Sequence, residues 1–142
     1  MRRFPLFVLG FLLSAAACVA TNPHVQPVPV ATNGPKACLA AAEWTTETRR
    51  IAHSHTYETR RMGERLACDV ARMQLAERSA SVCQVNLGSR TDIRNLTAAT
   101  QFSGVGQGCN CLDFGMWTRC EVQGDAVCGF AAAVPGTGDC AP

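Results

Sequence analysis

Cysteine, the residue type with the widest choice of chemistry in this chain, occurs nine times among 142 residues. Cysteine side chains form disulfides, bind zinc or act as nucleophiles, and the redox compartment decides which use prevails. Cys18 stands apart, because it ends an N-terminal apolar segment. The other cysteines are even in number, which predicts four disulfides in an oxidising compartment. They are Cys38, Cys68, Cys83, Cys109, Cys111, Cys120, Cys128 and Cys140.

Four of these cysteines also form the sequence cluster that comes nearest to a zinc site, which commonly has four sulfur ligands. Zinc and disulfides compete for the same sulfur atoms, and an exported chain with paired cysteines favours disulfides. We therefore predict no metal site and no cofactor. The cluster consists of Cys109, Cys111, Cys120 and Cys128.

His53 and His55 are the other candidates for chemistry, since a histidine can act as a general base or bind a metal near neutral pH. On a helix, side chains two positions apart point away from each other, so the pair could share a metal only on a strand or turn. No serine or cysteine has an evident catalytic partner in the sequence. We therefore assign no catalytic residue, and the prediction leans away from an enzyme.

The N-terminal segment has the three parts of an export signal: a basic start, an apolar run and small residues before Cys18. The apolar run, Phe4 to Leu13, is shorter than the roughly 20 residues that a membrane-spanning helix needs. We predict a signal peptide over residues 1–17.

Residues 13–18, Leu-Ser-Ala-Ala-Ala-Cys, resemble the lipobox of bacterial envelope lipoproteins, with Ala15 where that motif commonly has leucine. The resemblance implies cleavage before Cys18, a diacylglyceryl group on its sulfur and attachment to the outer membrane. Cleavage after Ala20 would instead release a soluble periplasmic or secreted protein. Both alternatives remove Cys18 from the cysteines of the folded domain.

Charge excludes some partners. Removal of Arg2 and Arg3 with the signal peptide leaves 11 basic residues (13 minus 2) against 11 acidic ones. Without a basic patch or run, the sequence predicts no nucleic-acid partner and no lipid-binding surface apart from the lipid on Cys18.

The mature chain divides into a tether and a single domain. Residues 18–35 contain four prolines and no charged residue, which predicts an extended tether. Residues 36–142 form the domain, made of a helical segment over 36–80 and a cysteine-rich β segment over 81–142. The fold class is therefore α+β: one long helix, or a helical hairpin, packed on a small disulfide-stapled antiparallel β hairpin or meander.

The helical prediction rests on an eleven-residue pseudo-repeat, which begins at Glu47, Glu58 and Asp69. Eleven residues are close to three helical turns, so corresponding positions would share a helix face. We expect residues 62–80 to be the buried core helix, with Cys68 attached to the sheet, and 45–60 to be a more solvated arm. Two arrangements stay open: a continuous helix, or a hairpin that turns near residue 53 and allows a Cys38–Cys68 disulfide.

Beyond residue 80 the pattern changes to short alternating segments. Cys83 to Leu87 predicts a strand and residues 92–96 predict a short helix. Residues 112–122 and 126–134 predict two strands of a hairpin that turns at Gln123-Gly124-Asp125.

Three hypotheses for function follow. The first is a lipid-anchored envelope protein that acts as a non-enzymatic binding or structural module for another envelope component. The second is a soluble periplasmic or secreted inhibitor or binder, and the third is a small hydrolase that uses His53 or His55. For the first, the predicted partner surface is on the solvated arm and consists of Trp44, Ile51, His55 and Tyr57.

Overall fold

A computed structural model describes residues 25–60, 62–104 and 108–140. The signal peptide, Cys18 and the predicted tether before residue 25 lie outside these ranges. The described chain has five strands, one short 3₁₀ turn (Ala37–Leu39) and one α-helix. In chain order the main elements are β1 (Val25–Pro29), β2 (Trp44–Arg60), α1 (Glu64–Leu87), β3 (Ile93–Phe102), β4 (Cys109–Asp113) and β5 (Trp117–Ala133).

The strands form one antiparallel sheet in the order β1-β3-β5-β2. The long strand β5 is the centre of the sheet, because β3 and β4 follow each other along one of its edges. On the other edge, β2 pairs with β5 in continuous register, from Trp44 opposite Ala133 to Arg60 opposite Trp117. Among the described strands, β2 is therefore an edge of the sheet.

The helix α1 covers one face of the sheet. Its buried residues recur every four positions, which places them on one side of the helix. They pack against the even-numbered residues of β5, which are buried from Thr118 to Ala132. The buried positions of α1 are Ala67, Ala71, Leu75, Ser79, Cys83 and Leu87.

The core between helix and sheet has two parts. The first core cluster is the larger and includes Leu87, Ile93, Leu96 and Phe130. The second core cluster has smaller side chains, namely Ala67, Ala71, Leu75, Cys120 and Val122.

A layer of polar residues lies between the two clusters. Ser79 Oγ is 3.1 Å from His53 Nε2 and 2.7 Å from Thr100 Oγ1. At the same level of β5, a Cβ on Gly124 would be only 2.7 Å from the carbonyl oxygen of Gln101, so this position needs glycine. The polar layer, made of His53, Ser79 and Thr100 beside Gly124, interrupts the apolar packing at one level.

All eight domain cysteines form disulfides, which confirms the predicted number of bonds. The pairs are Cys38–Cys140, Cys68–Cys109, Cys83–Cys128 and Cys111–Cys120. The Cys68–Cys109 bond joins α1 to β4, as expected for a helix attached to the sheet. The Cys38–Cys68 disulfide that the helical-hairpin alternative allows does not form, because Cys38 pairs with Cys140 and Cys68 with Cys109.

The α+β class is confirmed, since one helix packs on an antiparallel sheet that carries several disulfides. The sheet is larger than predicted, with five strands rather than a hairpin. The helix predicted over residues 36–80 is wrong before Glu64 within the described chain, which has there a 3₁₀ turn at Ala37–Leu39 and the strand β2 over residues 44–60. This segment is rich in threonine, a residue that favours strands, and its seventeen residues all pair with β5. Neither the continuous helix nor the helical hairpin therefore forms.

The remaining corrections have local causes. The predicted strand Cys83–Leu87 is the last turn of α1, because Cys83 and Leu87 share the buried side of the helix. The predicted turn at Gln123-Gly124-Asp125 lies within β5. Of the predicted short helix over 92–96, Asp92 precedes β3 and residues 93–96 form its start.

The predicted tether is wrong from residue 25 onward. Residues Val25–Pro29 pair with β3, and the Val30 N–H then donates a hydrogen bond to the Leu96 carbonyl. The Lys36 N–H donates to the Thr91 carbonyl, so the chain between these points follows the edge of the domain. Within the described residues, no helix is long and apolar enough to cross a membrane.

Candidate functional site

The turn between β4 and β5, with the adjoining ends of these strands, carries the largest group of exposed apolar side chains in the described chain. The exposed fractions are 55% for Leu112, 64% for Phe114, 71% for Met116 and 41% for Trp117. We call these four residues the hairpin end. Exposed apolar groups of this size commonly mark an interaction surface.

Local backbone bonds hold the hairpin end in this form. The Gly115 N–H donates to Asp113 Oδ1 at 2.8 Å, and Gly115 has a φ of 80°, which glycine adopts without strain. The Phe114 N–H donates to the Trp117 carbonyl at 2.7 Å and closes the turn. These bonds fix the backbone from which the exposed side chains project.

A cleft of about 350 Å³ opens beside the hairpin end. Phe114 and Trp117 give it apolar walls, and Arg60 stacks on the Trp117 ring at 4.2 Å. Arg119 and Glu58 also line the cleft, with their charged groups 3.6 Å apart. The apolar walls can contact an apolar side chain of a bound protein. The ion pair beside them offers hydrogen-bonding groups to the backbone of that protein.

Two disulfides brace the base of the hairpin end. Cys111 and Cys120 are opposite each other in the β4–β5 pairing, so their bond crosslinks these strands. The Cys68–Cys109 bond ties β4 to α1. In addition, Thr118 Oγ1 donates to the Met62 carbonyl at 2.9 Å. A surface held in one conformation loses less entropy on binding than a mobile one.

The sulfurs of these two disulfides form a compact cluster. All four lie within 4.8 Å of one another, and the sulfurs of Cys68 and Cys111 are 3.4 Å apart. The zinc set considered from the sequence is only partly brought together, because Cys128 pairs with Cys83 in the first core cluster. Zinc binds thiolates, whereas these sulfurs are paired with each other. The cluster therefore acts as a double crosslink.

The predicted partner surface is not brought together on one face. Trp44 lies on the face of the sheet away from α1, where the guanidinium of Arg94 stacks on its ring at 4.2 Å. Ile51, His55 and Tyr57 alternate on the side that faces α1 and are half-buried. His55 Nε2 lies 2.6 Å from Gln74 Oε1 of the helix.

His53 is half-buried on the side of β2 that faces α1, and it also lines a shallow cleft with Ser103 and Gln123. Its neighbour Ser79 is 1% exposed, so the hydroxyl is out of reach of a substrate. Asp125 is opposite Ala52 in the β2–β5 pairing and projects from the other face of the sheet, so it cannot orient the ring. Burial lowers the pKa of His53 below its usual 6.5, with Asp125 opposing and Arg78 adding to the effect. This arrangement stabilises a neutral imidazole in the polar layer.

The hairpin end is not predicted from the sequence, because its residues alternate as in a half-buried strand. The available signal was Asp113-Phe114-Gly115, in which an Asx residue and a glycine two positions later predict a turn. A turn at that point leaves the neighbouring large apolar residues without a core to enter.

The comparisons with known proteins gave no match. No protein-family model matches the chain, and neither a curated protein nor a solved structure is significantly similar to it.

Proposed function

We propose that this chain is an exported, non-enzymatic module of the bacterial cell envelope that binds another envelope protein through the hairpin end. The observation that carries the proposal is the exposure of four large apolar side chains at the end of the β4–β5 hairpin, which two disulfides brace. The four disulfides also indicate an oxidising compartment outside the cytoplasm.

The charges around the hairpin end favour a protein partner over a membrane. Glu58 and Asp113 lie near it together with Arg60 and Arg119, so the two signs are balanced. A surface that binds anionic lipids is typically rich in lysine and arginine alone. The cleft beside Phe114 has the size and apolar walls that a single anchoring side chain of a protein needs.

Attachment to the membrane belongs to the same proposal, through a lipid on Cys18. Its support is the resemblance of residues 13–18 to a lipobox. The intact mass of the mature protein tests it, because cleavage before Cys18 with acylation and cleavage after Ala20 give different masses. Partitioning of Cys18→Ala into the soluble fraction, with the wild type in the membrane fraction, supports the anchor. Equal partitioning of the two would leave the soluble periplasmic or secreted binder.

Site-specific photocrosslinking tests the binding surface in the cells that make the protein. A photoreactive phenylalanine analogue is placed at Phe114 and, as the matched control, at Val85, which is 79% exposed on α1. We expect one crosslinked protein from position 114 and none from position 85. The same product from both positions, or none from either, would contradict the proposal.

Affinity measurements on the purified partner then decide whether the contact is specific. Phe114→Ala and Trp117→Ala should each weaken binding about thirtyfold, the effect of losing a central apolar contact. Val85→Ala should leave the affinity unchanged. Equal affinity of the partner for all three variants would contradict the proposal that the hairpin end is the binding surface.

A further inference from the structure

The strand β2 leaves one edge unpaired over its whole length among the described residues. Its seventeen residues contain neither proline, glycine nor lysine, and the pairing with β5 has no bulge. Proteins usually protect free edges with short strands, prolines, bulges or charged side chains, lysine above all, because a regular edge pairs readily with another strand. Of these devices β2 has only charged side chains, and they are of both signs. This edge has the form of a strand that receives a partner.

The hydrogen bonding of β2 shows which of its backbone groups are available. The Val134 N–H donates to the Glu43 carbonyl at 2.8 Å, directly beyond the pair Trp44–Ala133. Antiparallel pairing alternates, so the backbone groups of odd-numbered residues of β2 face β5. Those of the even-numbered residues, from Trp44 to Arg60, therefore face outward.

The charges along this edge are complementary to themselves. Within β2, the first copy of the pseudo-repeat contains Glu47 and Arg50, and the second copy begins at Glu58. When a second β2 runs antiparallel with Ser54 opposite Ser54, each Arg50 lies opposite the Glu58 of the other copy. Even-numbered residues then face even-numbered residues, as the outward backbone groups require.

Neighbouring registers lose this match. A slip by two residues in one direction places Arg50 opposite Thr56, and in the other direction it places Arg50 opposite Arg60. In the matched register Ile51 also lies opposite Tyr57, and both side chains are half-buried in one copy alone. Within the described residues, Arg50 forms no ion pair. Glu58 uses Oε1 in its ion pair with Arg119, so its other carboxylate oxygen can face Arg50 of the second copy.

We propose that two copies of this chain pair through β2 in this register and form a continuous ten-stranded sheet with Ser54 on the two-fold axis. The two helices then lie on the same face of the sheet. The two hairpin ends, one beyond each Arg60, point to opposite ends of the dimer. The eleven-residue repeat, which does not form a helix, serves in this arrangement as a self-complementary edge.

Sedimentation equilibrium of the exported chain tests the pairing, with Cys18→Ser so that no lipid gathers molecules in micelles. We expect a dimer for this protein. Arg50→Glu and Glu58→Arg should each raise the dimer Kd about tenfold or more, because each places like charges opposite one another. Mixing the two variants should restore a dimer, since one copy then offers two acids and the other two arginines. Arg49→Glu is the matched control, because Arg49 lies opposite Thr59 and should leave the Kd unchanged.

A second variant separates pairing from folding. Ser54→Pro removes an outward N–H at the axis while the bonds of β2 to β5 remain, and it should also give monomers. Circular dichroism and the absence of free thiols establish that each variant is folded. A monomer at about 100 µM for the parent protein would overturn the proposal. So would a dimer that is unaffected by Arg50→Glu and Ser54→Pro, since it would use another surface.

Discussion

The first core cluster is filled by large side chains such as Leu87, Ile93 and Phe130, and one disulfide, Cys83–Cys128, passes through it. The second core cluster is smaller, with Leu75 and Val122 as its largest fully buried side chains, and two disulfides pack against it. The hairpin end lies beyond the second cluster. One half of the domain is therefore held mainly by buried apolar area and the other mainly by covalent bonds. Crosslinks let the second half hold its shape while its largest apolar residues stay outside the core.

The largest effect is expected from removing apolar volume in the first core cluster. Ile93→Ala should lower the free energy of unfolding by about 2–5 kcal/mol, because Ile93 is fully buried and its removal leaves a cavity. Urea denaturation with the disulfides intact measures the change. Met73→Ala, at a position that is 55% exposed, is the control and should have little effect. A loss below about 1 kcal/mol for Ile93→Ala would contradict this comparison, because disulfides rather than buried apolar area would then stabilise the first half too.

The crosslinks of the second half should rank by the length of the loop that each one closes. Removing Cys68–Cys109, with a sequence separation of 41, should lower the free energy of unfolding by about 2–4 kcal/mol. Removing Cys111–Cys120, with a separation of 9, should cost less. Paired Cys→Ala variants and urea denaturation provide these values.

Hydrogen exchange on the same variants locates the effect. Amides of β4 should exchange faster without Cys68–Cys109, while those around Ile93 keep their protection because the first core cluster is intact. Uniformly faster exchange in both halves would mean that the two clusters unfold as one unit.

The smallest effect concerns the polar layer that divides the clusters. The pKa of His53 is lower in the folded protein than its usual 6.5, so the unfolded chain binds more protons near that pH. The contribution of His53 to stability is therefore complete above pH 6.5 and is lost as the pH falls toward the lowered pKa. His53→Gln should flatten the stability profile between pH 8 and pH 5, as followed by denaturation at each pH. An unchanged profile in the variant would assign the pH dependence to other groups.

The extent to which the sequence predicted the fold depends on whether the deciding contacts are local. The helix predicted over residues 62–80 is confirmed from Glu64 onward, but the sequence predicts a strand where α1 has its last turn. In that turn, Cys83, Val85 and Leu87 stand at every second position, which is typical of a strand. Cys83 and Leu87 are also four positions apart, which is typical of one side of a helix. Only the sheet beneath shows which spacing applies.

The strand β2 could not be predicted from its own pattern. An eleven-residue repeat fits three helical turns, and in a strand it places Glu47 and Glu58 on opposite faces. Pairing with β5, some 75 residues later, decides between the two, and no local signal reports it. The number of disulfides followed from counting, whereas the partner of Cys38 depends on where the whole sheet brings Cys140.

The Cys38–Cys140 bond gives the domain an unusual response to mechanical load. These residues are 102 positions apart in the chain, yet their Cα atoms are separated by 4.8 Å. A pulling force applied between the two ends of the chain passes through this bond and bypasses α1 and strands β2 to β5. Among the strands and helix that the structure describes, β1 alone lies before Cys38 and is stretched. If the chain is held at its N-terminus, tension can detach β1 while the rest of the domain keeps its shape.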